Sequence, residues 1–222
     1  MHNASATGNL IVGIDEVGRG ALAGPVVAGA CIIPCELFRR RHSGTRWSPF
    51  QKKPDVDVCI ADSKQLSPGE RDISYEWIVK NCIFGAGIAD VDVIETRGIL
   101  AATQLAMLLA LVDLETRTAS RSFQLLIDGR DNFRFPYPHH SIIRGDQSEP
   151  CIAAGSIVAK VTRDRLMVDY AKSNNRYGFE KHKGYGSDDH IAAIRRHGMC
   201  PLHRLSFLSR ILTEQQTLAF MD

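Results

Sequence analysis

A mixed α/β sheet with helices packed on it is the fold class that the sequence predicts, and three observations carry that prediction. Two short apolar runs rich in β-branched residues, 10–14 and 25–33, are joined by a glycine-bearing turn and read as paired strands. Further along, strand-like apolar runs alternate with segments that carry helix-capping residues, the order that lays helices against a sheet. No linker, repeat or low-complexity tract divides the chain, so one core is expected rather than two.

The elements follow in order. Strand 25–33 contains Gly29. The stretch 38–58 is different: it carries Arg39, Arg40, Arg41, Arg46, Lys52 and Lys53 before its first acid, Asp55, with prolines at 49 and 54. It reads as an exposed loop or β-excursion. In Ser67-Pro68-Gly69-Glu70 a serine precedes proline, with glutamate three residues after the serine, and the pattern predicts a helix over 68–81. A strand is predicted at 83–89. Asp92 and Glu95 form a second capping pattern, which predicts a helix to about residue 114 with an apolar stripe of Ile99, Leu100, Leu105, Leu108 and Leu109. Strands are then predicted at 123–127, ending at Asp128, and at 141–143, ending near Asp146. Helices are predicted over 149–172, over 188–196 between Ser187 and Gly198, and over 206–216.

Composition bounds the function. The chain has 222 residues, 27 Lys and Arg against 25 Asp and Glu, and a net charge of +2, with 44% apolar and 23% charged residues. This is the globular mix, so wholesale disorder is excluded. So small a net charge also argues against a coat-like nucleic-acid binder. The apolar stretch around 99–112 is too short and too polar to span a bilayer, and residues 1–9 show no secretory pattern. The six cysteines form no C-x-x-C pair and are expected to be reduced, in a cytoplasmic protein.

The most informative segment is Ile14-Asp15-Glu16-Val17-Gly18-Arg19-Gly20, an apolar strand that ends in two adjacent acids. Adjacent strand residues point to opposite faces, so both acids serve one site only if the strand bends there, which Gly18 and Gly20 permit. Asp128 follows Leu125-Leu126-Ile127 and precedes Gly129, and Asp146 follows Ile142-Ile143-Arg144-Gly145. Converging carboxylates repel unless cations neutralise them, and all-oxygen ligation suits Mg²⁺ or Mn²⁺. The alternative is that these acids cap helices or form turns, as Asp128-Gly129 is also an ordinary turn dipeptide. Gly18-x-Gly20-x-x-Ala23 matches a dinucleotide-binding pattern, but a helix must follow it, whereas Pro25-Val26-Val27 leads into a strand.

At these residues the chain resembles the ribonuclease HII family, the type 2 ribonucleases H. The resemblance lies in the run from Asp15 to Val26, in Ala61-Asp62-Ser63-Lys64-Gln65-Leu66-Ser67, in Leu126-Ile127-Asp128-Gly129 and in the run from Ala154 to Asp164. It is completed by His182-Lys183-Gly184-Tyr185-Gly186 and Cys200-Pro201-Leu202-His203-Arg204. Gln65 stands where a lysine is common and Gly155 where alanine is usual. The match spans about 10–207.

The resemblance implies a ribonuclease H-like mixed sheet flanked by helices: one catalytic domain over 10–222, with a C-terminal helical extension from about 187 and a flexible stretch at 1–9. It implies endonucleolytic cleavage of RNA in RNA–DNA hybrids, and 5′ to single ribonucleotides in duplex DNA, leaving 3′-hydroxyl and 5′-phosphate ends. Asp15, Glu16, Asp128 and Asp146 become the catalytic and metal-binding carboxylates, for two Mn²⁺ or Mg²⁺ ions. Gly18, Arg19 and Gly20 become the reader of the ribose 2′-hydroxyl, the group that separates RNA from DNA. Tyr185 stacks on the neighbouring deoxyribose, and Lys64, Lys160 and Lys183 contact phosphates. Asp164 is left to helix packing or to a salt bridge with an arginine such as Arg163. His182 and His203 lack zinc-type spacing. A ribonuclease HIII-like or HI-like nuclease and a non-catalytic hybrid-binding module remain the rival readings. The chain is expected to be a monomer without a membrane partner, and Gln215, Gln216 and Phe220 make only a loose replication-clamp tail.

Overall fold

Five strands form the central sheet of the computed structural model, which describes residues 9–34, 38–40, 47–49 and 58–208. They are β1 (Leu10–Val17), β2 (Val26–Ile32), β5 (Ile83–Ala89), β6 (Phe123–Asp128) and β7 (His139–Ile142), in the order β5-β2-β1-β6-β7. β1 pairs antiparallel with β2, and β2 with β5, while β1–β6 and β6–β7 are parallel. The mixed sheet is the predicted one. Every residue of β2 is buried, as befits a strand with both faces covered.

Two helices cover the faces. α3 (Ile99–Glu115) packs over Val12, Ile14, Ala28, Ala30 and Leu125. On the opposite face α5 (Pro150–Ser173) lies against Gly13 and Gly29, so close that a Cβ on Gly13 would sit 2.1 Å from the Cys151 carbonyl carbon. α1 (Pro68–Asn81) adds Ile78 to the α5 side. Ser67 caps α1 through the Glu70 N–H, and the Glu70 carboxylate accepts from the Ser67 N–H, so the predicted capping box and both helix ends are present.

The predicted helix from Asp92 is two helices, α2 (Val91–Arg97) and α3, separated by Gly98 at φ 79°. Asp92 lies inside α2 rather than capping it. The predicted stripe is also displaced. Leu100 and Leu109 are exposed, and the buried face of α3 is Ala102, Thr103, Ala106, Met107, Ala110, Leu111 and Leu114. The reason is a close approach. Cβ atoms on Gly85 and Gly87 of β5 would lie 2.2 and 2.1 Å from the Ala110 and Ala106 carbonyl oxygens, so only small side chains fit there.

Within 38–58, β3 (Phe38–Arg40) and β4 (Trp47–Pro49) form a two-stranded antiparallel sheet, and the remainder up to residue 57 lies outside the described residues. After β7 come the short α4 (Gly145–Ser148), then α5, α6 (Phe179–His182) and α7 (Asp188–His197), the last capped by Ser187 as predicted. A further helix starts at 205–208; most of the predicted helix 206–216, the clamp-like tail and all but Asn9 of the stretch 1–9 lie outside the described residues.

Candidate active site

Strand parity places the first two carboxylates. Asp15 closes the continuous buried run of β1, and the β1–β6 register that pairs Ile14 with Ile127 brings Asp15 beside Asp128 on the adjacent parallel strand. Both point to the α5 face, because Gly13 and Leu126, two residues earlier, do so. Asp146 arrives from the first turn of α4 rather than from a strand end. Arg144, in left-handed backbone at φ 55°, turns the chain so that the Gly145 N–H donates to Asp128 Oδ1 at 2.7 Å and the Asp146 N–H at 3.4 Å. One oxygen from each of Asp15, Asp128 and Asp146 lies within 4.8 Å of the others.

Two members of this cluster are buried, Asp128 is half-buried, and the group is short of positive charge. Asp15 is 6% exposed and Asp146 7%. Burial, then the charges of Glu16 and Asp128, raises the Asp15 carboxyl well above its ordinary value, although Ser156 and the Glu16 N–H (2.7 Å) bond to it. Burial, with Asp128 and Asp62, pushes Asp146 up to about 6. Lys64 is the facing cation. Burial pulls its ammonium down, but Asp15, Asp62, Asp146 and Asp128 outweigh that and hold it above its usual range. Carboxylates held together at this cost form the donor set of a hard divalent cation, so the residues fit the group that the sequence implied.

Glu16 lies outside the 4.8 Å group, but its charge acts on Asp15 and it feels the charge of Asp128. β1 stays paired with β2 through Val17, so Glu16 leaves the backbone on the side of the strand opposite to Asp15. There Arg19 Nη1 bridges Glu16 Oε1 at 3.2 Å and Asp131 Oδ2 at 2.6 Å. Burial still raises Glu16 to about 7, against the pull of Arg19. Gly18 and Gly20 act after the strand. Gly18 has φ 98°, and a Cβ there would lie 2.3 Å from Arg163 Nε, whereas nothing lies within 4 Å of a Cβ built on Gly20. The backbone at Gly20 is therefore open to a close-lying ligand.

The remaining candidates lie around α5. Tyr185 is 37% exposed, with Arg163 Cζ 5.2 Å and Lys160 Nζ 5.9 Å from its ring centroid. Lys160 is already engaged by Asp164 at 2.7 Å, with Arg71 at 3.9 Å from the same carboxylate. Asp164 thus makes the predicted kind of contact with Lys160 and Arg71, while Arg163 turns its donors elsewhere. The Lys183 ammonium bonds the Glu180 carbonyl. His182 and His203 pack with His190 in an aromatic group that includes Phe179, where the His190 and His203 Nε2 atoms lie 3.2 Å apart.

Several site residues escaped the sequence reading. Asp62 is buried beside Asp146 and accepts from the Lys64 N–H at 3.0 Å; its one local signal is its place before the short helical turn Ser63–Gln65, which it caps. Ser156, 2.9 Å from Ser63 Oγ, and Asp131 carry no signal of their own.

A mixed sheet with an aspartate cluster at the carboxyl ends of two parallel strands defines a ribonuclease H-like nuclease. The ribonuclease HII family model matches residues 12–210. Ribonuclease HII of Endomicrobium trichonymphae is 41% identical over 199 residues, covering 89% of this chain and 84% of its own. That of Bacillus pumilus is 43% identical over 210 residues, covering 93% and 73%. The chain belongs to the ribonuclease HII family. It is a ribonuclease H, an endonuclease acting on RNA–DNA hybrids, and not a mere binding module.

Solved structures share the fold. Ribonuclease H2 from Pyrococcus horikoshii has a TM-score of 0.64 at 21% identity, covering 88% of this chain and 92% of its own. Ribonuclease HII in a complex with PCNA, from Archaeoglobus fulgidus, has 0.60 at 22%, covering 88% and 94%. A Bst ribonuclease HIII in complex with Mn²⁺ has 0.61 at 16%, covering 89% and 67%.

Proposed function

We propose that this ribonuclease H also cuts 5′ to a single ribonucleotide embedded in duplex DNA, leaving 3′-hydroxyl and 5′-phosphate ends, with two divalent ions held by its carboxylates. The observation that carries the reading is the convergent group Asp15, Asp128 and Asp146, with oxygens within 4.8 Å of one another, two residues of strand away from the glycine-flanked loop after β1. Asp15, Asp128 and Asp146 would hold Mg²⁺ or Mn²⁺, and Glu16, whose charge already acts on Asp15, would join them. When bound, the ions supply Lewis-acid stabilisation of the charge that gathers on the phosphodiester.

The chain's own residues do the rest. Asp128 is fixed for its task by the Gly145 N–H, and Asp15 by Ser156 and the Glu16 N–H. Gly18, Arg19 and Gly20 offer backbone groups to the 2′-hydroxyl, and the open surface at Gly20 supports that role. The half-exposed Tyr185 ring stacks on the next sugar. Lys64 neutralises a phosphate at the carboxylates, while Lys160 and Lys183 contact the backbone further along. The enzyme acts as a cytoplasmic monomer with one catalytic domain. No helix is long and apolar enough to cross a membrane among the described residues.

The test compares one embedded ribonucleotide, an RNA–DNA hybrid and plain DNA, each with Mn²⁺ and with Mg²⁺. Cleavage of the first two alone is expected. Cleavage of the hybrid but not of the embedded ribonucleotide would move the chain to ribonuclease HIII-like or HI-like specificity.

A further inference from the structure

Two arginines are wholly buried behind the loop that follows β1. Arg163, on α5, donates from Nε to the Pro25 carbonyl at 2.9 Å, from Nη2 to Ala23 at 3.0 Å and from Nη1 to Lys183 at 2.9 Å. Arg204 donates from Nε and Nη2 to the Gly24 carbonyl, at 2.9 and 2.7 Å, and from Nη1 to the Arg19 carbonyl at 2.9 Å. Neither forms an ion pair with a carboxylate among the described residues. Burial, with Arg163 beside it, pushes the Arg204 guanidinium down to about 9.

Such an arrangement is expensive for stability alone. Each guanidinium gives up its hydration with no carboxylate to offset it, and its hydrogen bonds to backbone carbonyls are what make the burial tolerable. What the guanidinium fork supplies, and an apolar side chain does not, is a fixed position for several carbonyls at once. The carbonyls held here belong to two separate stretches. Residues 19, 23, 24 and 25 follow the strand that carries Asp15 and Glu16; residue 183 belongs to the turn that carries Tyr185. The two stretches also meet directly, since the Leu22 and Ala23 N–H groups donate to the Gly184 carbonyl at 2.8 and 3.2 Å. Arg163 lies between them, its Nε in the space that a Cβ on Gly18 would take and its Cζ 5.2 Å from the Tyr185 ring centroid.

We propose that Arg163, backed by Arg204, is a positioning residue that locks the loop 18–25 and the Tyr185 turn into one rigid unit, and that this unit sets which sugar is accepted at the cleavage point. Neither arginine touches the aspartates' chemistry. Arg163 acts through the backbone of Gly18–Arg19–Gly20 and through the Tyr185 ring. The inference rests on the reading above that these groups meet the substrate's sugars.

The test is Arg163→Lys, with Arg204→Lys as the second variant, assayed on a duplex with one embedded ribonucleotide and on an RNA–DNA hybrid. A lysine keeps the charge but cannot span the same carbonyls. The preference for the embedded ribonucleotide, as a ratio of kcat/KM values, should fall by about tenfold, mainly through KM, with the activating Mn²⁺ concentration unchanged. If Arg163→Lys does not fold, Arg204→Lys carries the same comparison. Equal losses on both substrates that track the fraction of folded protein, or an unchanged ratio in the folded variant, would overturn the proposal. Should the wild type cut only the hybrid, the reading of single-ribonucleotide cleavage fails by itself. Arg163 is then tested by the hybrid alone, where a raised KM at nearly constant kcat supports positioning and a fall in kcat alone refutes it.

Discussion

Two buried clusters of like charge flank the end of β1, and they are resolved in opposite ways. The aspartates Asp15, Asp128 and Asp146 face one another with Lys64 as their facing cation, and both Asp15 and Asp146 hold protons more tightly than ordinary carboxylates. The arginines Arg163 and Arg204 are as deeply buried, yet each donates to backbone carbonyls from all three guanidinium nitrogens. Desolvation weighs on both clusters. The arginines are neutralised from within by dipoles built into the fold, whereas the acids are left for a cation from outside. A complete cluster fixes geometry, and an incomplete one binds.

The largest expected break in this contrast is in activity. Asp15→Asn or Asp128→Asn keeps the shape and the acceptor oxygen but removes a charged ligand, and cleavage of an RNA–DNA hybrid should fall by about a thousandfold. Full cleavage by either variant would remove that residue from the centre. On the arginine side the loss should be structural. Arg204→Met strips the Gly24 and Arg19 carbonyls of their donors and should cost about 3–5 kcal/mol, read by denaturant unfolding.

A third effect is in pH. Glu16 titrates at about 7 and Asp146 at about 6 in the fold, against ordinary values of 4.5 and 3.8. The folded chain therefore keeps protons that the unfolded chain has released. Without divalent ions, stability should be full on the acid side of about pH 4 and fall as pH rises through 7, by roughly 2–4 kcal/mol. Thermal unfolding in a chelator at pH 5 and pH 8 measures this, and a flat profile would mean that the acids are already neutralised. The smallest effect belongs to a pair that resembles neither cluster. Lys160–Asp164 is partly solvated, and Asp164→Asn should cost less than about 1 kcal/mol.

How far these features were legible in the sequence follows from the range of the interactions. α1 was readable to the residue because Ser67, Pro68 and Glu70 satisfy one another within a single turn. Asp15 and Asp128 were readable because each follows an apolar run, and parity alone then puts them on one face. Glu16 shows the limit of that argument: the glycines after it suggested a bend, but pairing with β2 continues to Val17, and the long side chain still brings its charge to bear on Asp15 and Asp128. The α3 stripe was misread because its buried side is chosen by Gly85 and Gly87, on a neighbouring strand, and large leucines are the wrong guide where backbones nearly touch. Arg163 sits in Val161-Thr162-Arg163-Asp164, where an arginine reads as solvated. Its acceptors Ala23 and Pro25 lie about 140 positions away in sequence, and no local pattern encodes them.

The central claim is that the aspartate cluster is an incomplete centre which a divalent cation completes. Thermal unfolding of the wild type and of Asp128→Asn at pH 7.5, each with a chelator and with Mn²⁺, tests it most directly. The wild type should gain several degrees with the ion, while Asp128→Asn should start higher in the chelator and gain little. A wild type indifferent to Mn²⁺, or an Asp128→Asn variant that gains as much as the wild type, would contradict it.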